Sequence, residues 1–163
     1  MPAKFLNSRR GWLCASLATA CLLLAGAARP ATPENGTFDI ARYHGRVVVV
    51  DFWASWCKPC RQSIPWLNEM RSRYGQKGLV IVGINVDARR ADAQRFLEST
   101  PIDFEIIFDT QGELAQRYAL KGMPSSLVFD RDGKLVATHI GFQEKNKDSR
   151  EASLRQLIDK AAS

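Results

Sequence analysis

Cysteine and histidine are scarce in this chain, which has four cysteines and two histidines among 163 residues. Beyond the apolar N-terminal segment only Cys57 and Cys60 remain. A structural zinc site needs four ligands, and His44 and His139 are both far from the cysteine pair in the sequence. We therefore predict no metal site and no cofactor.

Clustered charge, internal repeats and low-complexity segments are also lacking. The formal net charge is +6, but residues 28–163 carry 20 basic and 17 acidic residues, because residues 1–27 hold three basic residues and no acid. This mild, scattered excess does not form the clustered basic face that nucleic-acid binding requires. We also expect the charged residues after Gly141 to lie on solvated faces. The length suits one domain.

The N-terminus has the features of an export signal. Basic residues at positions 4, 9 and 10 precede an apolar run over residues 11–28, which ends in small residues. These features match the three parts of a secretory signal. We predict a signal peptide over residues 1–27, a flexible lead-in over 28–36 and one domain over 37–163. The expected location is the periplasm of a Gram-negative bacterium.

Two alternatives remain open for this segment. Residues 8–13 read Ser-Arg-Arg-Gly-Trp-Leu, which resembles the twin-arginine export consensus. The apolar run is also long enough to remain uncleaved as a membrane anchor, although its small-residue ending favours cleavage.

Strand and helix patterns alternate along the rest of the chain. A β-branched run over residues 47–52 is typical of a strand buried on both faces, and a helical pattern follows from Cys57 to Tyr74. A hairpin around Asp130-Arg131-Asp132-Gly133 and an amphipathic helix close the chain. The remaining predicted elements are strands over 79–86 and 104–108, helices over 91–98, 113–118 and 148–160, and hairpin strands over 126–129 and 134–140. This order indicates an α/β fold with a mixed sheet.

The Cys57–Cys60 spacing favours redox chemistry over a structural bridge. A bridge across two residues removes little entropy from the unfolded chain. At the start of a helix the Cys57 thiolate would be stabilised by free backbone N–H groups, and Lys58 adds positive charge. Pro59 suits the first helical turn. We expect Cys57 to be the accessible attacking thiolate and Cys60, one turn later, to be the more buried resolving thiol.

Residues 50–65 read Val-Asp-Phe-Trp-Ala-Ser-Trp-Cys-Lys-Pro-Cys-Arg-Gln-Ser-Ile-Pro. This segment resembles the thioredoxin superfamily, and most closely its exported TlpA-like and cytochrome c maturation reductases. The resemblance implies a thioredoxin-like fold, with a central mixed sheet flanked by helices and an extra helix at residues 88–100 inserted between central strands. It also implies dithiol–disulfide exchange with protein substrates, in the direction of reduction, and a membrane electron donor that restores the dithiol.

The same resemblance implies roles for residues outside the cysteine pair. Asp51 matches the buried carboxylate that accepts the proton of the second cysteine, and the sequence offers it no obvious cationic partner. Pro124 matches a cis-proline that packs against the disulfide, and the backbone of Met123 would pair with a substrate strand. Trp56 would line the substrate face, together with Lys58 and Pro59. Ser63 departs from the pattern, since many relatives have Glu there.

Two other functions are weighed against this one. A peroxiredoxin-like peroxidase shares the fold, but its Pro-x-x-x-Thr-x-x-Cys motif is absent. A non-catalytic binding module would not need an intact cysteine pair with Asp51 behind it. A DsbA-like oxidant is disfavoured, because that group has a larger helical insertion and a histidine before its second cysteine.

Overall fold

The computed structural model describes residues 37–160, which form a mixed five-stranded sheet with helices on both faces. The strands are β1 (Val47–Trp53), β2 (Leu79–Asn85), β3 (Glu105–Phe108), β4 (Ser125–Phe129) and β5 (Leu135–Ile140). The helices are α1 (Lys58–Tyr74), α2 (Arg90–Ser99), α3 (Glu113–Arg117) and α4 (Lys147–Asp159). The predicted signal peptide and lead-in lie outside the described residues. Within the described part of the chain, no helix has the length and apolar character needed to cross a membrane.

The strand order is β3-β2-β1-β4-β5, with β1, β2 and β3 parallel and β4 antiparallel to both its neighbours. This confirms the predicted mixed sheet. The valine-rich β1 lies in the centre, and all seven of its residues are buried. A strand that is covered on both faces needs apolar side chains at nearly every position, which is why this run lacks the alternation of a half-exposed strand.

The side chains of β1 alternate between two hydrophobic clusters. Val48, Val50 and Phe52 pack on one face with Leu114 of α3 and with Phe38, which precedes β1. Val49 and Trp53 lie on the other face, the first packing against α1 and α4 and the second against α1 and α2. Because successive residues of a strand point to opposite faces, Asp51 points to the same face as Val49 and Trp53. The face of the sheet that carries Asp51 is therefore the one covered by α1.

Helix α1 begins immediately after Cys57 and continues through Pro65 to Tyr74. A single 3₁₀ turn follows, and Gly78 adopts a left-handed conformation with φ of 102° before β2 begins. Glycine reaches this conformation without the steric cost that a Cβ atom brings. The predicted helix and its glycine ending are confirmed.

Helix α2 connects β2 to β3, so it forms the crossover between two parallel strands. It lies in the region 88–100, where the extra helix was predicted. That helix was expected between two central strands, but β3 is an edge strand of the observed sheet. The hairpin turn also agrees with the sequence: Gly133 has φ of 76°, and Asp130 Oδ1 accepts hydrogen bonds from the backbone N–H groups of Asp132 and Lys134. Two short 3₁₀ turns, Ile40–Tyr43 and Glu144–Asn146, were not predicted, because so few residues carry no periodic signal.

Candidate active site

Cys57 and Cys60 form a disulfide at the N-terminus of α1, with Cα atoms 5.3 Å apart. Cys57 is the N-cap residue, and its sulfur accepts a hydrogen bond from the backbone N–H of Cys60 at 3.3 Å. The first turn of α1 contains no acidic residue. A thiolate at Cys57 would therefore face free N–H groups and the positive end of the helix dipole without a competing negative charge.

Cys60 is more buried than Cys57, as predicted, but Cys57 is not the accessible residue that we expected. Cys60 has no exposed surface, while Cys57 retains 3%. Cys57 is thus far less accessible in the disulfide than we expected, because Trp53, Ala54 and Ile64 pack in the same cluster as the cysteine pair.

The loop that leads into Cys57 is held by the end of β2. The side chain of Asp87 accepts hydrogen bonds from the backbone N–H and the hydroxyl of Ser55, both at 2.9 Å. Asn85 Nδ2 donates to the same carboxylate at 2.7 Å, and Arg61 Nη2 donates to the Ser55 carbonyl at 3.0 Å. These contacts fix the residue that lies two positions before Cys57.

Sequence reasoning did not identify Asp87, Asn85 or Arg61 as part of the site. A signal was present, since Asn85 and Asp87 are polar residues at the carboxyl end of a buried strand, where sites in α/β sheets gather. Their contact with Ser55 joins segments 32 residues apart, which spacing along the chain does not reveal.

Asp51 is almost completely buried, with 1% of its surface exposed. Burial raises the pKa of its carboxyl group to about 7, while the hydrogen bond from Ser126 and the charge of Arg150 act in the opposite direction. Ser126 Oγ donates to Asp51 Oδ1 at 2.5 Å, and Oδ2 has no hydrogen-bond partner among the described residues. The predicted burial is confirmed, and the pKa shift has the direction that burial predicts. The sequence offered no obvious cation for Asp51, whereas in the structure the charge of Arg150 in α4 lowers the pKa of this acid without an ion pair between them.

Ser126 and Arg150 were both missed by sequence reasoning. Ser126 lies directly opposite Asp51 in the β1–β4 pairing, and His139 lies opposite Ser126 in the β4–β5 pairing. A row of three polar residues therefore crosses the sheet. The expectation of solvated charges after Gly141 is also wrong for Arg150, whose side chain is half-buried.

The loop before β4 approaches the cysteine pair from the other side. The Met123–Pro124 peptide bond is cis, as the resemblance implied. Met123 is half-buried and packs against the cluster that contains both cysteines. The Pro124 carbonyl accepts a hydrogen bond from the backbone N–H of Gly141 at 2.8 Å, and Ser125 Oγ donates to the Gly122 carbonyl at 2.7 Å. The loop is thus tied both to β5 and to itself.

The remaining predicted site residues surround the disulfide. Trp56 is 66% exposed, Lys58 is exposed and Pro59 is half-buried in the first turn of α1. Trp53 and Trp66 are buried, so they belong to the core. Within residues 37–160 no group of three or more potential metal ligands comes together.

The Redoxin family profile matches residues 25–158. The chain belongs to the Redoxin family. Thiol-disulfide oxidoreductase ResA of Bacillus thuringiensis subsp. konkukian is 29% identical over 114 residues, which cover 70% of this chain and 66% of that protein. ResA of Geobacillus thermodenitrificans is 31% identical over 112 residues, 69% of this chain and 64% of that protein. This Redoxin therefore aligns with just under two thirds of the length of these relatives.

Solved structures give the same fold. A candidate thiol:disulfide interchange protein DsbE from Chlorobium tepidum is 42% identical, with a TM-score of 0.72 over 73% of this chain and 84% of that one. The exposed lipoprotein thioredoxin Etrx1 of Streptococcus pneumoniae is 29% identical, with a TM-score of 0.64 over 75% and 93%. The predicted thioredoxin-like fold and superfamily are confirmed. The relatives are thiol–disulfide oxidoreductases by name, which supports a redox role for the cysteine pair of this Redoxin.

Proposed function

We propose that this Redoxin is an exported protein-disulfide reductase that works through Cys57 and Cys60. The observation that carries the proposal is the disulfide at the N-cap of α1, with a buried carboxyl group of pKa about 7 on the sheet face beneath that helix. A helix start favours the thiolate needed for attack, and a carboxyl group that titrates near neutral pH suits the proton transfer that resolution requires.

The proposed reaction has two steps. First, the Cys57 thiolate attacks one sulfur of a client disulfide; a Cys57–client bond forms, the client bond breaks, and the departing client thiolate takes up a proton. Second, Asp51 accepts the Cys60 proton, and the Cys60 thiolate attacks Cys57, which releases the other client thiolate. The client gains two electrons, and the protein returns to its Cys57–Cys60 disulfide.

Client contacts are assigned to the surface around the disulfide. Trp56 offers an exposed aromatic ring next to Cys57, and Lys58 and Pro59 border the sulfurs from the first turn of α1. Met123 packs against the cysteine cluster from the loop before β4. We assign Met123 and the neighbouring Pro124 to the client surface, where the Met123 backbone would pair with an extended client segment. Protein thiols and disulfides are therefore the proposed substrates, with no metal or cofactor taking part.

The proposed location is the periplasm, after removal of residues 1–27. This rests on the basic, apolar and small-residue parts of the N-terminal segment. Because the periplasm is kept oxidising, a reductase there needs a membrane electron donor to restore its dithiol. Mass spectrometry of the protein from its native envelope tests the location. A mature N-terminus near Ala28 is expected, whereas an intact Met1 in the membrane fraction would favour the uncleaved anchor.

A trapping experiment tests the assignment of the two cysteines. Without the resolving thiol, the first step should stop at the mixed disulfide, so Cys60→Ser should accumulate covalent client adducts at Cys57. Cys57→Ser removes the attacking thiol and should trap nothing. Non-reducing electrophoresis and peptide mapping provide the measurement. Adducts on Cys57→Ser but not on Cys60→Ser would reverse the assignment.

The trapping experiment also separates the two alternative functions. A peroxiredoxin-like peroxidase would convert Cys57 to a sulfenic acid with peroxide and would trap no protein client. In a non-catalytic module, both thiols would react neither with a client disulfide nor with peroxide.

A further inference from the structure

A small cavity lies next to the polar row that crosses the sheet. It has a volume of about 30 Å³ and is lined by residues of β1, β4, β5, α1 and α4. Most of its wall is apolar, with Trp66 and Leu154 among the lining residues. Polar side chains also reach it, including Ser126 from β4 and Arg150 from α4. Ser126 is the residue that donates to Asp51, so Arg150 and the hydrogen-bonding partner of the buried acid line the same cavity.

Arg150 is held in place rather than free to turn away. Its Nη2 donates to the Gly141 carbonyl at 3.0 Å, and its guanidinium carbon lies 5.7 Å from the centre of the Phe142 ring. Among the side chains of residues 37–160, Arg150 forms no ion pair. A half-buried cation without a contacting carboxylate loses part of its hydration, which disfavours its charged form. The nearby charge that compensates it is Asp51, which raises the pKa of Arg150 against the effect of burial.

We propose that Arg150 is a positioning residue for the thiol–disulfide reaction, which acts across this cavity, alongside Ser126, to keep Asp51 available as a carboxylate. This inference rests on the role of Asp51 given above. The positive charge favours the deprotonated acid, and the Ser126 hydroxyl holds one carboxylate oxygen in place. Asp51 can then accept the proton of Cys60 at neutral pH, where burial alone would leave it protonated and unable to do so.

The other groups around Asp51 do not supply this charge. His139 also lines the cavity, but burial and the charge of Arg150 lower its pKa, so the imidazole is neutral near pH 7. From β2, the residue opposite Asp51 is Gly83, and α1 brings Cys60 and Trp66 to this face. Among the side chains that line the cavity, Arg150 is thus the one that carries a positive charge near neutral pH.

The test is the pH dependence of the resolution step. The step is timed by stopped flow from pH 6 to 9, after a client mixed disulfide has formed at Cys57. Arg150→Gln should slow resolution roughly fivefold at pH 7 and move the midpoint of the profile to higher pH, with the rate approaching the parent value at pH 9. Arg150→Lys should restore most of the parent profile, because it keeps a positive charge. Arg155→Gln is the matched control on the exposed face of α4 and should change nothing.

A uniform slowing of Arg150→Gln at every pH would overturn the inference, since loss of structure alone would give that result. An unshifted midpoint would overturn it as well. Asp51→Asn distinguishes this failure from failure of the underlying reaction: if its resolution rate equals that of the parent, Asp51 is not the base. An NMR titration of the Asp51 carboxyl carbon in the oxidised protein decides the charge effect independently of activity. Arg150→Gln should raise this pKa, and an unchanged value would contradict the proposal.

Discussion

Asp51 combines deep burial with a protonation state that changes near neutral pH. Its carboxyl group accepts one hydrogen bond, from Ser126, and the positive charge of Arg150 lowers its pKa. The four valines before it in β1 predict burial from the sequence. Its two partners could not be predicted, because Ser126 is 75 residues away and Arg150 lies on a helix whose charged residues look solvated in the sequence. Whether Asp51 is a base is decided by the kinetics of resolution.

Asp51 should also make the fold less stable as the pH rises. The folded protein holds this proton up to a pKa of about 7, whereas the unfolded chain releases it near the ordinary value of 3.8. The stability contributed by the neutral acid is therefore complete below about pH 3.8 and is lost as the pH rises to about 7. Asp51→Asn lacks this dependence. At pH 8 we expect the variant to exceed the parent by up to about 4 kcal/mol in free energy of unfolding.

Urea denaturation of the oxidised protein at pH 4, 6 and 8 provides the measurement. The difference between Asp51→Asn and the parent should shrink almost to zero at pH 4. Asp148→Asn, a change at an exposed carboxylate of α4, is the control and should leave the pH dependence of the parent intact. An equal stability difference at all three pH values would show that the pKa of Asp51 is the same in the folded and unfolded states, which contradicts the raised value.

At the scale of elements, the start of α1 depends on the end of β2. Helix α1 was predictable because Ile64, Leu67 and Met70 recur at helical spacing, and all three are buried. The loop before it was not, because its conformation is held by Asp87 and Asn85 rather than by its own sequence. Helical periodicity is a local property, whereas this loop is fixed by a contact between two strand ends.

Removing the Asp87 carboxylate should loosen the loop at residues 54–57. Asp87→Ala leaves the Ser55 N–H and Asn85 Nδ2 without their acceptor, which should cost about 2–4 kcal/mol in free energy of unfolding. Amide hydrogen exchange should accelerate at Ser55 and at Cys57, whose N–H donates to the Ala54 carbonyl. Denaturation and exchange followed by NMR measure both effects.

Asp109→Ala is the matched control for this change. Asp109 is another buried carboxylate, and it accepts the N–H of Ala115 at 2.9 Å, away from the Cys57 loop. Its loss should destabilise the fold without a selective effect on Ser55. Equal protection of Ser55 in Asp87→Ala and the parent would mean that the loop is held by other contacts.

At the scale of the whole molecule, Arg131 joins the hairpin to both ends of the domain. Its guanidinium donates to the carbonyls of Gly45 and Ile158, both at 2.7 Å, and more weakly to those of Lys77 and Lys160. The sequence showed Arg131 only as a turn residue. The mixed sheet could be predicted from the order of the elements. The four carbonyls around Arg131 could not, since they come from three separate segments of the chain.

Arg131→Ala should therefore destabilise the domain as a whole. Loss of the charged donor leaves the partly buried Gly45 and Ile158 carbonyls without this partner, at a cost of about 2–4 kcal/mol. Lys134→Ala, in the same hairpin but exposed, should change stability by less than about 0.5 kcal/mol. Chemical denaturation of both variants provides the measurement. Equal stabilities would show that the Arg131 contacts contribute nothing net.

The equilibrium redox titration of Cys57 and Cys60 tests the central claim most directly. The oxidised domain is equilibrated with glutathione buffers of increasing reducing strength, and free thiols are counted by mass after alkylation. A reductase should show one reversible two-electron transition between the Cys57–Cys60 disulfide and two thiols, with a potential well below the roughly −120 mV of a strong periplasmic oxidant. A potential near that of the oxidant would contradict reduction as the direction of the reaction. Thiols that fail to form the intramolecular disulfide would contradict the redox function itself.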